Sequence, residues 1–219
     1  MQSSGRSLFL VMDRAQIIRP PNLGWLEYQL NDIELTYVWN RIKNQKENWE
    51  KNLAGNIDSS FLLDDTNGWF FNHTLFRLID AYGESFQNLG HATPITGSHP
   101  YFLNEWWVNY QKQTEFNPMH SHGGVYSFVI WMKIPIDWEE QNKDSTSRCP
   151  AKSSFQFFYN GICGDSMLHE YRLTKEDEGK LLFFPSKLNH VVYPFYNSEE
   201  ERVSVSGNIL VNINGELNA

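Results

Sequence analysis

Cysteine is nearly absent: Cys149 and Cys163 are the only two in 219 residues. That excludes a disulfide framework of the kind that holds small secreted domains together, and predicts two reduced thiols in a cytoplasmic protein. Runs of lysine and arginine are missing too, and the formal charge is −8. Such a balance argues against non-specific coating of nucleic acid, whose affinity comes from basic groups on phosphates. No long apolar run occurs. Leu8 to Met12 is too short for a signal-peptide core and far too short for a membrane span. Internal repeats and low-complexity linkers are also lacking.

What is present is apolar and aromatic. Hydrophobic residues make up 41% and aromatics 15%, with eight Trp and fifteen Phe, ample for a large core. The first ninety or so residues read as partly helical. Asn31 or Asp32 is placed to cap a helix through "IELTYVWNRIKNQKENWEKNL", with an apolar stripe of Ile33, Val38, Ile42 and Trp49. A second helix is expected through "WFFNHTLFRLIDAYGESFQNLG". There Phe71, Leu75, Leu78, Ile79, Tyr82 and Phe86 recur at three- and four-residue steps and Gly90 stands as the stop. After Pro94 the texture changes to short β-branched and aromatic runs: "YFLNEWWVNYQK", "VYSFVIWMKI", "SSFQFFYNG", "KLLFFP", "HVVYPF" and "RVSVSGNILVNI". Gly, Pro, Asn and charge clusters separate them, as turns separate strands in a sandwich or barrel. The polar "IDWEEQNKDSTSRCPAKS" reads as an exposed loop. The expectation is one domain over 1–219, with a helical support layer over about 1–92 and a β core over about 93–219.

The chemistry concentrates in "NPMHSHGGVYSFVIWMKIP". Side chains at i and i+2 of an extended segment share a side, so His120 and His122 converge on one point. Gly123 and Gly124 leave room for the chain to turn and for a ligand to approach. Imidazole is a frequent ligand of Fe(II) and Zn(II). His190 opens "HVVYPF" sixty-eight residues after His122, a spacing that lets a barrel bring a third imidazole opposite the first two. His73, His91, His99 and His169 read as surface or structural. Arg202, Ser204, Ser206 and Asn208 share one face of their strand, and Val203 and Val205 take the other. A polar inward face suits a barrel that holds a polar ligand. Arg202 has the shape to grip a carboxylate through two parallel hydrogen bonds, with the Ser204 hydroxyl beside it. Tyr110 offers a further hydroxyl. The competing readings are a solvated strand-end charge for Arg202, beside Glu199 to Glu201, and an ordinary barrel aromatic for Tyr110.

An H-x-(D/E/H) pair, a distal His and then R-x-S together resemble the 2-oxoglutarate- and Fe(II)-dependent oxygenases, in particular those of marine phages and bacteria. The matching stretches are "WVNYQKQTEFNPMHSHGGVYSFVIWMKIP", "GKLLFFPSKLNHVVYPF" and "ERVSVSGNI", and "NLAGNI" at Asn52 to Ile57 resembles an upstream motif. The likeness spans roughly Asn52 to Ile213. It implies a mostly β protein with N-terminal helices, built on a double-stranded β-helix (jelly-roll) barrel. It also implies Fe(II) on His120, His122 and His190, with 2-oxoglutarate read by Arg202 and Ser204. O2 is consumed and succinate and CO2 are released as a C–H bond is hydroxylated. Tyr110 sits where prolyl-hydroxylase-like members place a cosubstrate-binding Tyr. Asn208 is expected to touch cosubstrate or substrate, and Trp106, Trp107 and Asn109 to line the entrance.

His122 departs from the pattern, because the usual site has two His and one carboxylate. The alternatives are a three-His iron, a carboxylate recruited from elsewhere and a weakened site, and the first ranks highest because the i, i+2 geometry still holds. Two other functions compete. One is a cupin-type three-His dioxygenase without 2-oxoglutarate, which "GKLLFFPSKLNH" supports and the R-x-S does not. The other is a non-catalytic jelly-roll binding or structural protein. The substrate is unnamed by the sequence: a protein side chain, a nucleobase or a small metabolite. No membrane partner is expected, the aromatic N-terminal layer offers a face for a homodimer, and a phage-encoded protein would act in its host's cytoplasm.

Overall fold

A computed structural model describes residues 18, 22–52, 54–86, 89 and 99–213. The Leu8 to Met12 run, Leu53 of "NLAGNI", Gly90 and His91 lie outside them. The described residues form ten strands: β1 (Leu26–Gln29), β2 (Ser60–Leu62), β3 (Tyr101–Gln111), β4 (Asn117–His120), β5 (Tyr126–Lys133), β6 (Phe155–Asn160), β7 (Ser166–Tyr171), β8 (Lys180–Pro185), β9 (Asn189–Val192) and β10 (Arg202–Val211). They make a six-stranded sheet in the order β1-β8-β5-β10-β3-β2 and a four-stranded sheet in the order β4-β9-β6-β7. Every pairing between these strands is antiparallel. This is a mostly β, double-stranded β-helix architecture with helices before it, as the sequence predicts.

Alternation along the large sheet builds two different interiors. Val108 of β3, Phe128 and Ile130 of β5, Phe183 of β8 and Val205 and Ile209 of β10 all point to the helical side. There they meet Val38, Phe70, Leu75 and Tyr82. The opposite face carries Val129, Trp131, Leu182 and Phe184 against Phe155 and Phe157 of the small sheet. Period-two side-chain geometry is sufficient to produce both faces from one strand.

The helical layer differs from expectation in instructive ways. Asn31 caps α1 (Asp32–Lys43) through a full capping box with Glu34, a motif worth about 1 kcal/mol. The helix then stops at Asn44, well short of Leu53. Gln45 to Asn48 supply no apolar residue for the stripe, and their backbone turns to β2 instead: Lys46 N donates to Leu62 O and Trp49 N to Ser60 O. Ile33 is exposed, and Glu34 is buried in its place. The Glu34 carboxylate accepts from Tyr28 Oη, Thr74 Oγ1 and the Asn31 amide. The second helix opens with a π turn (Phe71–Leu75) before α2 (Phe76–Ser85). That one-residue widening puts Phe70 and Leu75 on the same buried face, while Phe86 is left 38% exposed.

Two strands of the large sheet, β1 and β2, come from the region expected to be helical support. The expected loop after β5 is anchored at its start. It contains α3 (Trp138–Asn142), with Trp138 buried under the Arg172 guanidinium and Asn142 Nδ2 donating to the Lys152 carbonyl. Both cysteines are free and exposed. Among the described residues no helix is long and apolar enough to cross a membrane.

Candidate functional site

A cavity of about 400 Å³ opens between the two sheets, beside their shared apolar core. Its walls are the inward faces of β3 and β10 on one side and the β4–β9 pair on the other. Antiparallel pairing sets His120 of β4 directly opposite His190 of β9. His122 lies just past β4, held by its own amide on the Ser186 carbonyl and by Lys187 Nζ on its carbonyl. Gly124 makes this turn: its φ is +95°, and a Cβ there would lie 2.8 Å from the Ile209 carbonyl oxygen. Gly123 faces open space.

The three imidazoles meet. Ring centroids of His120 and His190 are 4.3 Å apart, of His120 and His122 4.9 Å, and of His122 and His190 5.0 Å. One ligand nitrogen from each lies within 4.8 Å of the others. His120 Nδ1 is 2.7 Å from the Pro118 carbonyl and His190 Nδ1 is 3.0 Å from the Leu188 carbonyl. A carbonyl only accepts, so both Nδ1 atoms carry the proton and both Nε2 atoms present a lone pair. His122 Nε2 and His190 Nε2 are 3.2 Å apart. Two nitrogens at about 2.1 Å from one ion are separated by about that distance. Burial lowers all three pKa values, to about 4 for His122 and about 3 for His190, with neighbouring imidazoles adding to the effect in those two. The rings are therefore neutral at pH 7, the form that ligates. Among the described residues no Asp or Glu joins this cluster.

Arg202 stands in the same cavity and is 2% exposed. Its burial rules out a solvated strand end, and two of the neighbouring acids have other partners: Glu200 pairs with Lys133 and Glu199 accepts from Gln113. The guanidinium is held by neutral oxygens alone. Nε and Nη2 donate to Gln111 Oε1 at 3.0 and 2.7 Å, Nη1 to the Ser153 carbonyl at 2.7 Å and Nη2 to the Tyr193 carbonyl at 2.9 Å. Burial lowers its pKa to about 10, which still leaves it charged at pH 7. The fork expected to grip a carboxylate with two bonds is thus spent on the protein, and one Nη1–H is left over.

Ser204, Ser206 and Asn208 line the cavity beside Arg202, as their alternation predicts. Asn208 is fixed by Ser127 and by Glu105. Trp107 and Asn109 also face inward, and the Trp107 indole N–H is buried without a partner. Two expected positions belong elsewhere. Tyr110 lies on the opposite face of β3, packed on the helix-side core with its hydroxyl on Gln45 Oε1, so it does not reach the cavity. Trp106 is likewise in that core, stacked on Phe70. Both miss by one residue, and one residue is one face. Gln111 is the inward neighbour that sequence reasoning misses. Its signal is the i, i+2 series from Trp107 through Asn109.

Residues 105–208 match a family model described as "Putative 2OG-Fe(II) oxygenase". Over this stretch, a little under half of the chain, the sequence is similar to that family. The match begins at Glu105 and ends at Asn208, so it contains all three clustered histidines and Arg202. Solved structures with similar folds include a 2OG-Fe(II) oxygenase family oxidoreductase from Burkholderia pseudomallei. It is 12% identical over 95% of this chain and 91% of that one, with a TM-score of 0.52. The non-haem alpha-ketoglutarate-dependent carbocyclase SnoK from nogalamycin biosynthesis is 8% identical over 96% and 85%, with a TM-score of 0.51. A Pseudomonas putida prolyl-4-hydroxylase is 13% identical over 85% and 92%, with a TM-score of 0.48. At such identities the likeness to the first two is one of fold. No curated protein matches the chain.

Proposed function

We propose that this chain is a non-haem oxygenase that uses Fe(II) on three histidines and 2-oxoglutarate to hydroxylate a substrate C–H bond. The observation that carries the reading is a buried cation, Arg202, which makes no ion pair with any described residue and shares a cavity with three neutral imidazoles. Leaving Arg202 buried and unpaired is costly for the fold alone, and a ligand carboxylate removes that cost. His120, His122 and His190 would hold the metal, with the Pro118 and Leu188 carbonyls fixing two of the rings. Arg202 would take the far carboxylate of the cosubstrate, with Ser204 and Asn208 on the same strand face beside it. Trp107, Trp131 and Phe155 shield the pocket from bulk water. Bound together, Fe(II) and 2-oxoglutarate supply the oxidation: O2 is consumed, the keto acid leaves as succinate and CO2, and one oxygen atom enters the substrate. The free, exposed thiols fit a reducing, cytoplasmic setting.

The test is anaerobic addition of Fe(II) and 2-oxoglutarate, watched for the visible metal-to-ligand band. The expected result is a band in the wild type that needs about 100-fold more 2-oxoglutarate in Arg202→Met, from loss of a charge-assisted contact. No band in metal-loaded wild type, or an unshifted titration in the variant, would sink the proposal. That no carboxylate among the described residues joins the three histidines also suits a cupin-type dioxygenase. That reading gives Arg202 no task, and it forbids the stoichiometric succinate that ours requires.

A further inference from the structure

The way Arg202 is held deepens this reading, on the condition that Arg202 receives the cosubstrate's far carboxylate. Gln111 is 3% exposed and fixed at both ends of its amide. Its Nε2 donates to the Glu115 carbonyl at 2.5 Å, and its Oε1 accepts from two nitrogens of Arg202. Antiparallel register sets the pair directly opposite, Arg202 on β10 against Gln111 on β3. The Glu115 carboxylate is turned away, accepting from the amides of Lys112 and Asp58. Every protein acceptor on Arg202 is therefore a neutral carbonyl or amide oxygen. Such acceptors orient a guanidinium and offset part of its desolvation, but they leave its charge in place. An acid at 111 would orient it equally well and cancel it.

We propose that Gln111 is a positioning residue for Arg202: it aims the guanidinium, occupies two of its donors and leaves its charge uncompensated. The cavity then accepts one carboxylate end-on, through the remaining Nη1–H. Neutrality at position 111 sets anion affinity as much as the arginine does.

Affinities for 2-oxoglutarate and for 2-oxobutanoate, which lacks the far carboxylate, are read by anaerobic titration of the Fe(II) protein. Wild type is compared with Gln111→Glu and Gln111→Met. Gln111→Glu is expected to weaken 2-oxoglutarate about 100-fold by pairing with Arg202, and Gln111→Met about tenfold by loosening it. Neither change should alter 2-oxobutanoate. The proposal is overturned if Gln111→Glu binds 2-oxoglutarate like wild type or no worse than Gln111→Met. It is also overturned if both ligands weaken together, which marks a merely structural residue. Failure of the underlying reading looks different: wild type would show no preference for 2-oxoglutarate over 2-oxobutanoate before any change at 111, and Gln111 would then have no such role.

Discussion

The two faces of β10 are both largely buried and chemically opposite. Toward the helices stand Val203, Val205 and Ile209, at 5%, 0% and 0% exposure. Toward the small sheet stand Arg202, Ser204, Ser206 and Asn208. The first face is explained by stability, since each large apolar side chain so buried is worth roughly 1.5–3 kcal/mol. The second is not, because buried polar groups at best recover their desolvation through hydrogen bonds. A polar face of this kind is what the proposed ligand site calls for. The same division runs along β3, with Trp106, Val108 and Tyr110 on one face and Trp107, Asn109 and Gln111 on the other.

If that division is right, damage to one face should leave the other's property intact. The largest effect belongs to the candidate metal cluster. His190→Ala should weaken Fe(II) or Zn(II) binding by at least about 1,000-fold, because one of the three proposed ligands would be gone. The urea midpoint of the metal-free protein should stay within about 1 kcal/mol of wild type. Calorimetric metal titration and equilibrium unfolding read the two separately. A variant that unfolds without losing metal affinity would erase the distinction.

The reciprocal change is Phe183→Ala, on the helix side of β8 with no exposed surface. Removing a buried Phe costs about 3–5 kcal/mol. Urea unfolding should show that loss, while protein kept folded below the transition binds metal as wild type does. Coupled loss of metal affinity under those conditions would mean that the apolar face shapes the site directly.

A smaller effect is expected from pH. The histidine pKa values are depressed in the fold, to about 3 for His190 and about 4 for His122. The unfolded chain, near 6.5, thus takes up protons first as pH falls. Their contribution to the stability of metal-free protein is at its full level above pH 6.5, erodes as pH drops through the window, and is lost below about 3. His190→Gln removes the most depressed of these groups, so its stability should fall less steeply between pH 6.5 and 4. Identical slopes in the two proteins would show that His190 is not held neutral by burial.

These experiments also probe how far the sequence could be read. Runs of β-branched and aromatic residues announced β3, β5, β6, β8, β9 and β10, and the His120, His122, His190 and Arg202 spacing pointed to one cavity. The edge strand β7 was silent, because its first four residues are exposed and carry no alternation. β1 and β2 were silent because four and three residues show no period and, unlike β9 in "HVVYPF", neither lies in a longer β-branched and aromatic run. The hold on Arg202 needed knowledge that no local pattern contains: the register bringing Gln111 opposite, and two backbone carbonyls from loops at Ser153 and Tyr193. Charge and approximate place were legible; the partner that tunes the charge was not.

The subtlest prediction concerns the residue that parity displaced. Tyr110 was expected to offer its hydroxyl to the cosubstrate, yet its neighbours across the sheet and its bond to Gln45 place it on the stability face. Tyr110→Phe removes one partly buried hydrogen bond and no cavity contact. It should cost about 0.5–1.5 kcal/mol in urea unfolding and leave the 2-oxoglutarate titration unchanged. The two outcomes are mutually exclusive tests of which way one side chain points. If 2-oxoglutarate binding weakens while stability holds, Tyr110 reaches the cavity and the face assignment of β3 fails at its Arg202 end. Gln111 would then lose its place as the inward neighbour. Tyr110→Phe, the mildest of these substitutions, therefore also tests the premise on which the role of Gln111 depends.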